Sequence, residues 1–119
     1  MNTQPASTDP GAELGNPEDV KIIKLARAAR ARTGAAEAAC VRDTDGRTYA
    51  ATNVALPHLT LSAAAVAVAM AVSSGATGLE AVALVGEAPL TEADRAVIAD
   101  LGGAEITLLQ ADPSGALRG

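Results

Sequence analysis

Residues 53–75 read Asn-Val-Ala-Leu-Pro-His-Leu-Thr-Leu-Ser-Ala-Ala-Ala-Val-Ala-Val-Ala-Met-Ala-Val-Ser-Ser-Gly. They hold no Asp, Glu, Lys or Arg, and the charge-free run extends from Thr48 to Leu79. Such a segment is expected at the buried centre of a folded domain. It reads as a strand end, a break at Pro57, and one Ala-rich helix capped by Thr60 or Ser62 and ending at Ser74-Gly75. That helix is apolar on every face, so it must be covered on all sides. A sheet covers one side, and a second subunit is the simplest cover for the other. The apolar part, Leu61 to Val72, falls short of the about 20 residues that a membrane span needs.

Upstream, Glu37 to Arg42 reads as a strand of small apolar residues, and Asp43-Thr44-Asp45-Gly46 as a turn. Arg47 to Asn53 returns as the second strand of a hairpin. Before it, Asn16-Pro17-Glu18-Asp19 is a helix start, with Asn as cap, Pro at the first helical position and acids in the first turn. This helix runs from Pro17 to Arg32 and ends near Gly34, with Ile22, Leu25, Ala26 and Ala29 in one apolar stripe. Lys21, Lys24, Arg27, Arg30 and Arg32 form a basic face that reads as a solvated helix face; it and the acidic leader are the two surface features that could meet a protein partner.

Downstream, Ala81 to Val85 is a short, continuously apolar strand of the kind buried in a sheet. Pro89-Leu90-Thr91 opens a third helix, with Thr91 as cap and Asp94 completing a capping box. Ala93, Val97, Ile98 and Leu101 form its apolar stripe, and Gly102-Gly103 ends it. Glu105 to Gln110 is the last strand, Asp112-Pro113-Ser114-Gly115 closes the domain, and the final four residues are expected to fray. The order α-β-β-α-β-α-β belongs to the α/β class and gives a small mixed sheet with helices on both faces. One domain is expected over residues 17–112, between an acidic, disordered leader at 1–16 and a tail at 113–119.

Composition excludes several functions. The chain has 119 residues and a net charge of −5, and its acidic excess sits in the first 20 residues, which hold Asp9, Glu13, Glu18 and Asp19 and no base. The body is therefore near neutral and has no electrostatic footprint for nucleic acid. Tyr49 is the only aromatic residue, so there is no base-stacking platform, and the core must be built from Ala, Val, Leu and Ile. Side chains this small bury little area each, at about 25 cal/mol per Å², which favours an oligomer. The single Cys40 rules out an intrachain disulfide and a Cys-x-x-Cys metal site. The N-terminus has neither a basic region nor an apolar run, which reads as a cytoplasmic protein without a signal peptide or membrane anchor.

Several segments, in their order and spacing, resemble the cytidine deaminase family. Leu25-Ala26-Arg27-Ala28-Ala29-Arg30 resembles its first helix, and Ala38-Ala39 followed by Asp45-Gly46-Arg47 its first hairpin. Asn53-Val54 resembles the start of an Asn-Val-Glu-Asn segment. Leu59-Thr60-Leu61-Ser62-Ala63-Ala64-Ala65-Val66-Ala67 resembles a segment that reads Leu-Thr-Ile-Cys-Ala-Glu-Arg-Val-Ala in active members, and Ala71-Val72-Ser73-Ser74-Gly75 resembles the end of that helix. The resemblance implies a three-layer α-β-α sandwich. It also implies a zinc site of three Cys, or one His and two Cys, whose activated water attacks C4 of cytosine with a Glu shuttling protons.

On those positions this chain departs. The first zinc ligand falls on Ser62, the proton shuttle on Ala64, and the Pro-Cys-x-x-Cys pair on Leu90 and Ala93 behind a retained Pro89. The ribose-contacting Asn falls on Asn53, but its partner Glu falls on Ala55, and no Phe stacks on the base. No metal, no cofactor and no catalytic residue is expected. The leading expectation is a catalytically inactive, metal-free relative acting as a homo-oligomeric scaffold or interaction protein, a dimer or tetramer packed through the Ala-rich helix as the resemblance implies. The alternative is a nucleoside- or nucleotide-binding module that reuses a remnant pocket at Asn53, Ser62 and Thr91, where the free N–H groups of the second and third helices would converge. A hydrolase using Ser62 or His58 lacks an orienting acid nearby in sequence. Cys40 reads as a buried core residue, and Asp43, Asp45, Glu92 and Asp94 as turn and cap acids.

Overall fold

A computed structural model describes residues 15–102 and 105–118; residues 1–14 of the leader expected at 1–16, and the expectations for Gly103 and Gly119, lie outside them. Helix α1 (Pro17–Thr33) begins at Asn16, whose Oδ1 accepts the Glu18 N–H at 2.9 Å, and it ends at Gly34 in the left-handed region at φ 69°. Strands β1 (Glu37–Asp43) and β2 (Thr48–Thr52) pair antiparallel through a turn in which Gly46 takes φ 86°. The order then runs β3 (Val54–Leu56), β4 (Leu59–Leu61), α2 (Ala63–Ser73), β5 (Leu79–Gly86), α3 (Glu92–Gly102) and β6 (Thr107–Ala111). The main sheet has the order β2-β1-β5-β6, antiparallel except for the parallel β5–β6 pair.

This is the mixed sheet expected from the sequence, with one addition. Pro57 does not simply break the chain; with His58 it forms the turn of a small β3–β4 hairpin outside the main sheet. Three-residue strands are too short to show an alternating pattern, so nothing local announces them.

Strand alternation divides the core in two. Ala38 and Cys40 on β1, with Ala81, Ala83 and Val85 on β5, face α1 and its buried Ile22, Ile23, Ala26 and Ala29. Ala39, Val41, Val82 and Leu84 face the other way, against Ala63, Ala64, Ala67, Val68 and Ala71 of α2 and Ile98 of α3. The helix expected to need cover all round is buried on its inner face only, and Met70 and Val72 stand 39% and 53% exposed.

The chain beyond β6 does not run free. Asp112 Oδ1 accepts the N–H groups of Ser114 and Ala116, Leu117 bridges back to Ala111, and the Arg118 N–H donates to the Gln110 carbonyl at 2.7 Å. The turn residues Asp112-Pro113-Ser114-Gly115 thus fold residues 116–118 back along the outer edge of β6, in place of the expected fraying.

Candidate functional site at the entry to helix α2

Ser62 holds the N-terminus of α2. Its backbone is extended and its Oγ accepts the Ala65 N–H at 3.1 Å, which settles the cap on Ser62 rather than Thr60. The Ala63 N–H, two positions earlier, donates to Glu37 Oε2 at 2.8 Å. Glu37 opens β1 and lies in phase with Ala39 and Val41, so strand alternation aims it at α2. Asn53 in turn holds Glu37: its Oδ1 accepts the Glu37 N–H at 3.2 Å, and its own N–H donates to the Glu37 carbonyl at 3.4 Å. Asn53 therefore extends the β1–β2 ladder by one side-chain rung.

The entry to α3 is closed in the same manner. Gln110, on β6, accepts the Leu90 N–H through its Oε1 at 2.8 Å. Thr91 Oγ1 accepts the Asp94 N–H at 3.0 Å, and Asp94 Oδ2 accepts the Thr91 N–H at 3.3 Å, which is the capping box read from the sequence. Of the helix-start N–H groups expected to converge on a ligand, those of Ala63, Ala65 and Asp94 are taken by side chains of the same chain, as are the Leu90 and Thr91 N–H groups just before α3.

Asn53, Ser62 and Thr91 thus each serve their own or a neighbouring segment: Asn53 the strand pair, Ser62 the cap of α2, Thr91 the cap of α3. The two side chains that complete the arrangement, Glu37 and Gln110, were not singled out by sequence reasoning. For Gln110 no local signal exists. For Glu37 there is one: an acid opening a strand of small apolar residues, on the phase that faces the core.

His58 sits exposed in the β3–β4 turn. Cys40 faces α1, on the opposite side of the sheet from α2, and burial pushes its thiol up to about 12. Asp43 is fully buried, and Asp45 and Arg47 donate their N–H groups to its Oδ1 at 2.9 Å each. Burial pushes the Asp43 carboxyl up, but those N–H groups, the Arg47 guanidinium and the Tyr49 hydroxyl outweigh it and hold the carboxyl below its usual range. It is a turn acid. A cavity of about 540 Å³ borders Pro17, Val20, Lys24 and Leu25 on α1, across the sheet from α2; it has none of the expected site residues in its wall.

The metal that the resemblance implies does not fit the residues present. At the corresponding positions Ser62 uses its oxygen as a helix cap, Leu90 is a buried hydrocarbon at 6% exposure, and Ala93 is an exposed methyl. None offers a thiolate or an imidazole. Ala64, in the place of the proton shuttle, is fully buried in the core and carries nothing to transfer.

A family model described as cytidine deaminase-like matches residues 15–115. Among solved structures, cytidine deaminase from Burkholderia pseudomallei is similar at 24% identity and a TM-score of 0.74, over 82% of this chain and 87% of that one. Cytidine deaminase from Mycobacterium tuberculosis is similar at 27% identity and a TM-score of 0.68, over 87% of this chain and 90% of that one. The enzyme from Mycobacterium leprae, at 20% identity and a TM-score of 0.65 over 82% and 89%, is alike in fold. No curated protein matches the sequence.

Proposed function

Because this chain belongs to the cytidine deaminase-like family, we propose that it keeps the family's fold without its chemistry and acts in the cytoplasm as a homo-oligomeric scaffold or interaction protein. One observation carries the reading. Where the family places metal ligands and a proton shuttle, this chain has a helix cap at Ser62, core hydrocarbon at Ala64 and Leu90, and a surface methyl at Ala93. A hydrolytic deamination needs an activated water and a group that moves protons, and none of these four side chains provides either.

The scaffold half of the reading rests on surface chemistry. Leu56 and Leu59 on the β3–β4 hairpin are 57% and 47% exposed, and Met70 and Val72 on α2 are exposed with them. All four fall inside the charge-free run from Thr48 to Leu79. The hairpin and helix that carry them bring no charge of their own to a contact, which suits a meeting with a second copy without like-charge repulsion. A nucleoside-binding role would have to share Asn53, whose side-chain oxygen already accepts the Glu37 N–H.

The deciding experiment combines three readings on purified protein: bound zinc per chain, turnover of cytidine, and solution mass. The proposal expects no stoichiometric zinc, no turnover and a mass above that of one chain. Zinc at one per chain, or turnover, sinks the inactive half. A mass of one chain at all concentrations sinks the scaffold half.

A further inference from the structure

We infer that Glu37 is an intrachain ligand, a built-in carboxylate that occupies the first N–H of α2 and seals the family's former ligand position from within. Three independent contacts seat it. Its backbone is clamped on both sides by Asn53. Its stem lies against the end of β5, where a Cβ on the buried Gly86 would come 3.1 Å from Glu37 Cβ, close enough that Glu37 would have to give by a few tenths of an ångström. Its carboxylate reaches Ala63 at 2.8 Å, between the helix cap Ser62 and the core residue Ala64.

Two guanidiniums brace the backbone on either side of this place. Arg30 Nε donates to the carbonyl of Ala36, the residue before Glu37, at 3.1 Å. Arg118 Nη2 donates to the carbonyl of Gly86, the register partner of Glu37, at 2.5 Å. The folded-back tail thus delivers a guanidinium to the same corner of the sheet, and the α2 N-terminus adds its own positive end. A small anion or carbonyl oxygen reaching for Ala63 must displace a side chain already tethered there, which holds the advantage of an intramolecular partner. Glu37 in this chain takes the place an outside ligand would need at the α2 N-terminus, an inference that rests on the reading of a protein without small-molecule turnover.

The test is chemical rescue with formate, at constant ionic strength against a chloride control, read by melting temperature and by the Ala63 amide resonance. Wild type is expected to show no response beyond the control, because Glu37 holds the place. Glu37→Ala is expected to melt lower by about 3–8 °C, to recover saturably with formate, and to show the Ala63 amide moving with the same midpoint. Glu37→Gln is expected to melt near wild type and ignore formate, since its carboxamide oxygen still accepts the N–H. An unresponsive Glu37→Ala, or a wild type whose Ala63 amide titrates with formate, overturns the inference. If Glu37→Ala does not fold, hydrogen exchange of wild type decides. The Ala63 amide should be protected like the helix interior, although first-turn donors ordinarily exchange fast, and rapid exchange overturns the contact. Zinc binding or cytidine turnover would defeat the functional proposal without altering any of these readings.

Discussion

Arg42 Nη1 stands 3.1 Å from Asp19 Oδ1, joining the middle of the sheet to the first turn of α1, with both side chains nearly buried. The contact is ionic: among the described residues, neither atom has an aligned hydrogen-bond partner. Arg42 also reaches the half-exposed Glu80 on β5 through its Nε at 2.9 Å. One guanidinium therefore ties three elements together.

Breaking that pair from one side strands a charge in the interior. Asp19→Ala is expected to destabilise the fold by about 3 kcal/mol, in line with other buried pairs broken singly. Glu80→Ala, whose carboxylate is solvated, is expected to cost about 0.5 kcal/mol. Denaturant midpoints of the two variants check this, and equal losses would show that the ion pair with Asp19 has no special weight.

Acid should weaken the β1–β2 turn through Asp43. Its carboxyl is held below the ordinary value, so the folded state favours the ionised form. The stability this gives is fully present above the unfolded carboxyl range and is lost as pH falls through the lowered folded value. Asp43→Asn should therefore fall well below wild type at pH 7, with the gap closing toward pH 3. Asp112, held low first by the Ser114 hydroxyl, acts in the same direction. A gap that stays constant across the series would rule out the charge of Asp43 as the cause.

Cys40 should be inert while the protein is folded. With its thiol pushed up to about 12 and no exposed surface, the reactive thiolate is scarce and unreachable. Labelling by a maleimide at pH 8 should proceed only at the rate at which the chain unfolds. Fast labelling of native protein would contradict the packing of β1 against α1.

A charge placed on the apolar surface should abolish self-association without harming the monomer. Val72 is 53% exposed at the end of α2, so Val72→Glu is expected to change the melting temperature of the isolated chain little. Its solution mass should drop to that of one chain. If the mass is unchanged, the contact lies elsewhere.

Much of this architecture could be read from local pattern. The Asn16-Pro17 start of α1, the stop at Gly34, the Asp45-Gly46 turn and the Thr91–Asp94 box all involve residues a few positions apart, and each stands as read. The candidate site was legible only in part. Ser62 as a cap followed from its place before the Ala run, but its companions did not. Glu37 meets Ala63 across 26 positions and Gln110 meets Leu90 across 20. Such pairings exist only once the sheet has brought the strand ends together, and no periodicity encodes them. The β3–β4 hairpin was hidden for a different reason: its residues are as apolar as the buried helix that follows, yet Leu56 and Leu59 face water.

Tyr49, whose hydroxyl lies 3.3 Å from Asp43 Oδ2, is the sole aromatic ring in a chain without Trp or Phe. Near-ultraviolet absorbance and intrinsic fluorescence therefore come from a single address, the far end of the β1–β2 ladder. An optical melt of this protein watches one corner of the molecule, while far-ultraviolet circular dichroism watches the whole backbone. Coincidence of the two curves would show that the outer strand and the helices dissolve as one cooperative unit. If the optical curve leads, the edge of the sheet opens first.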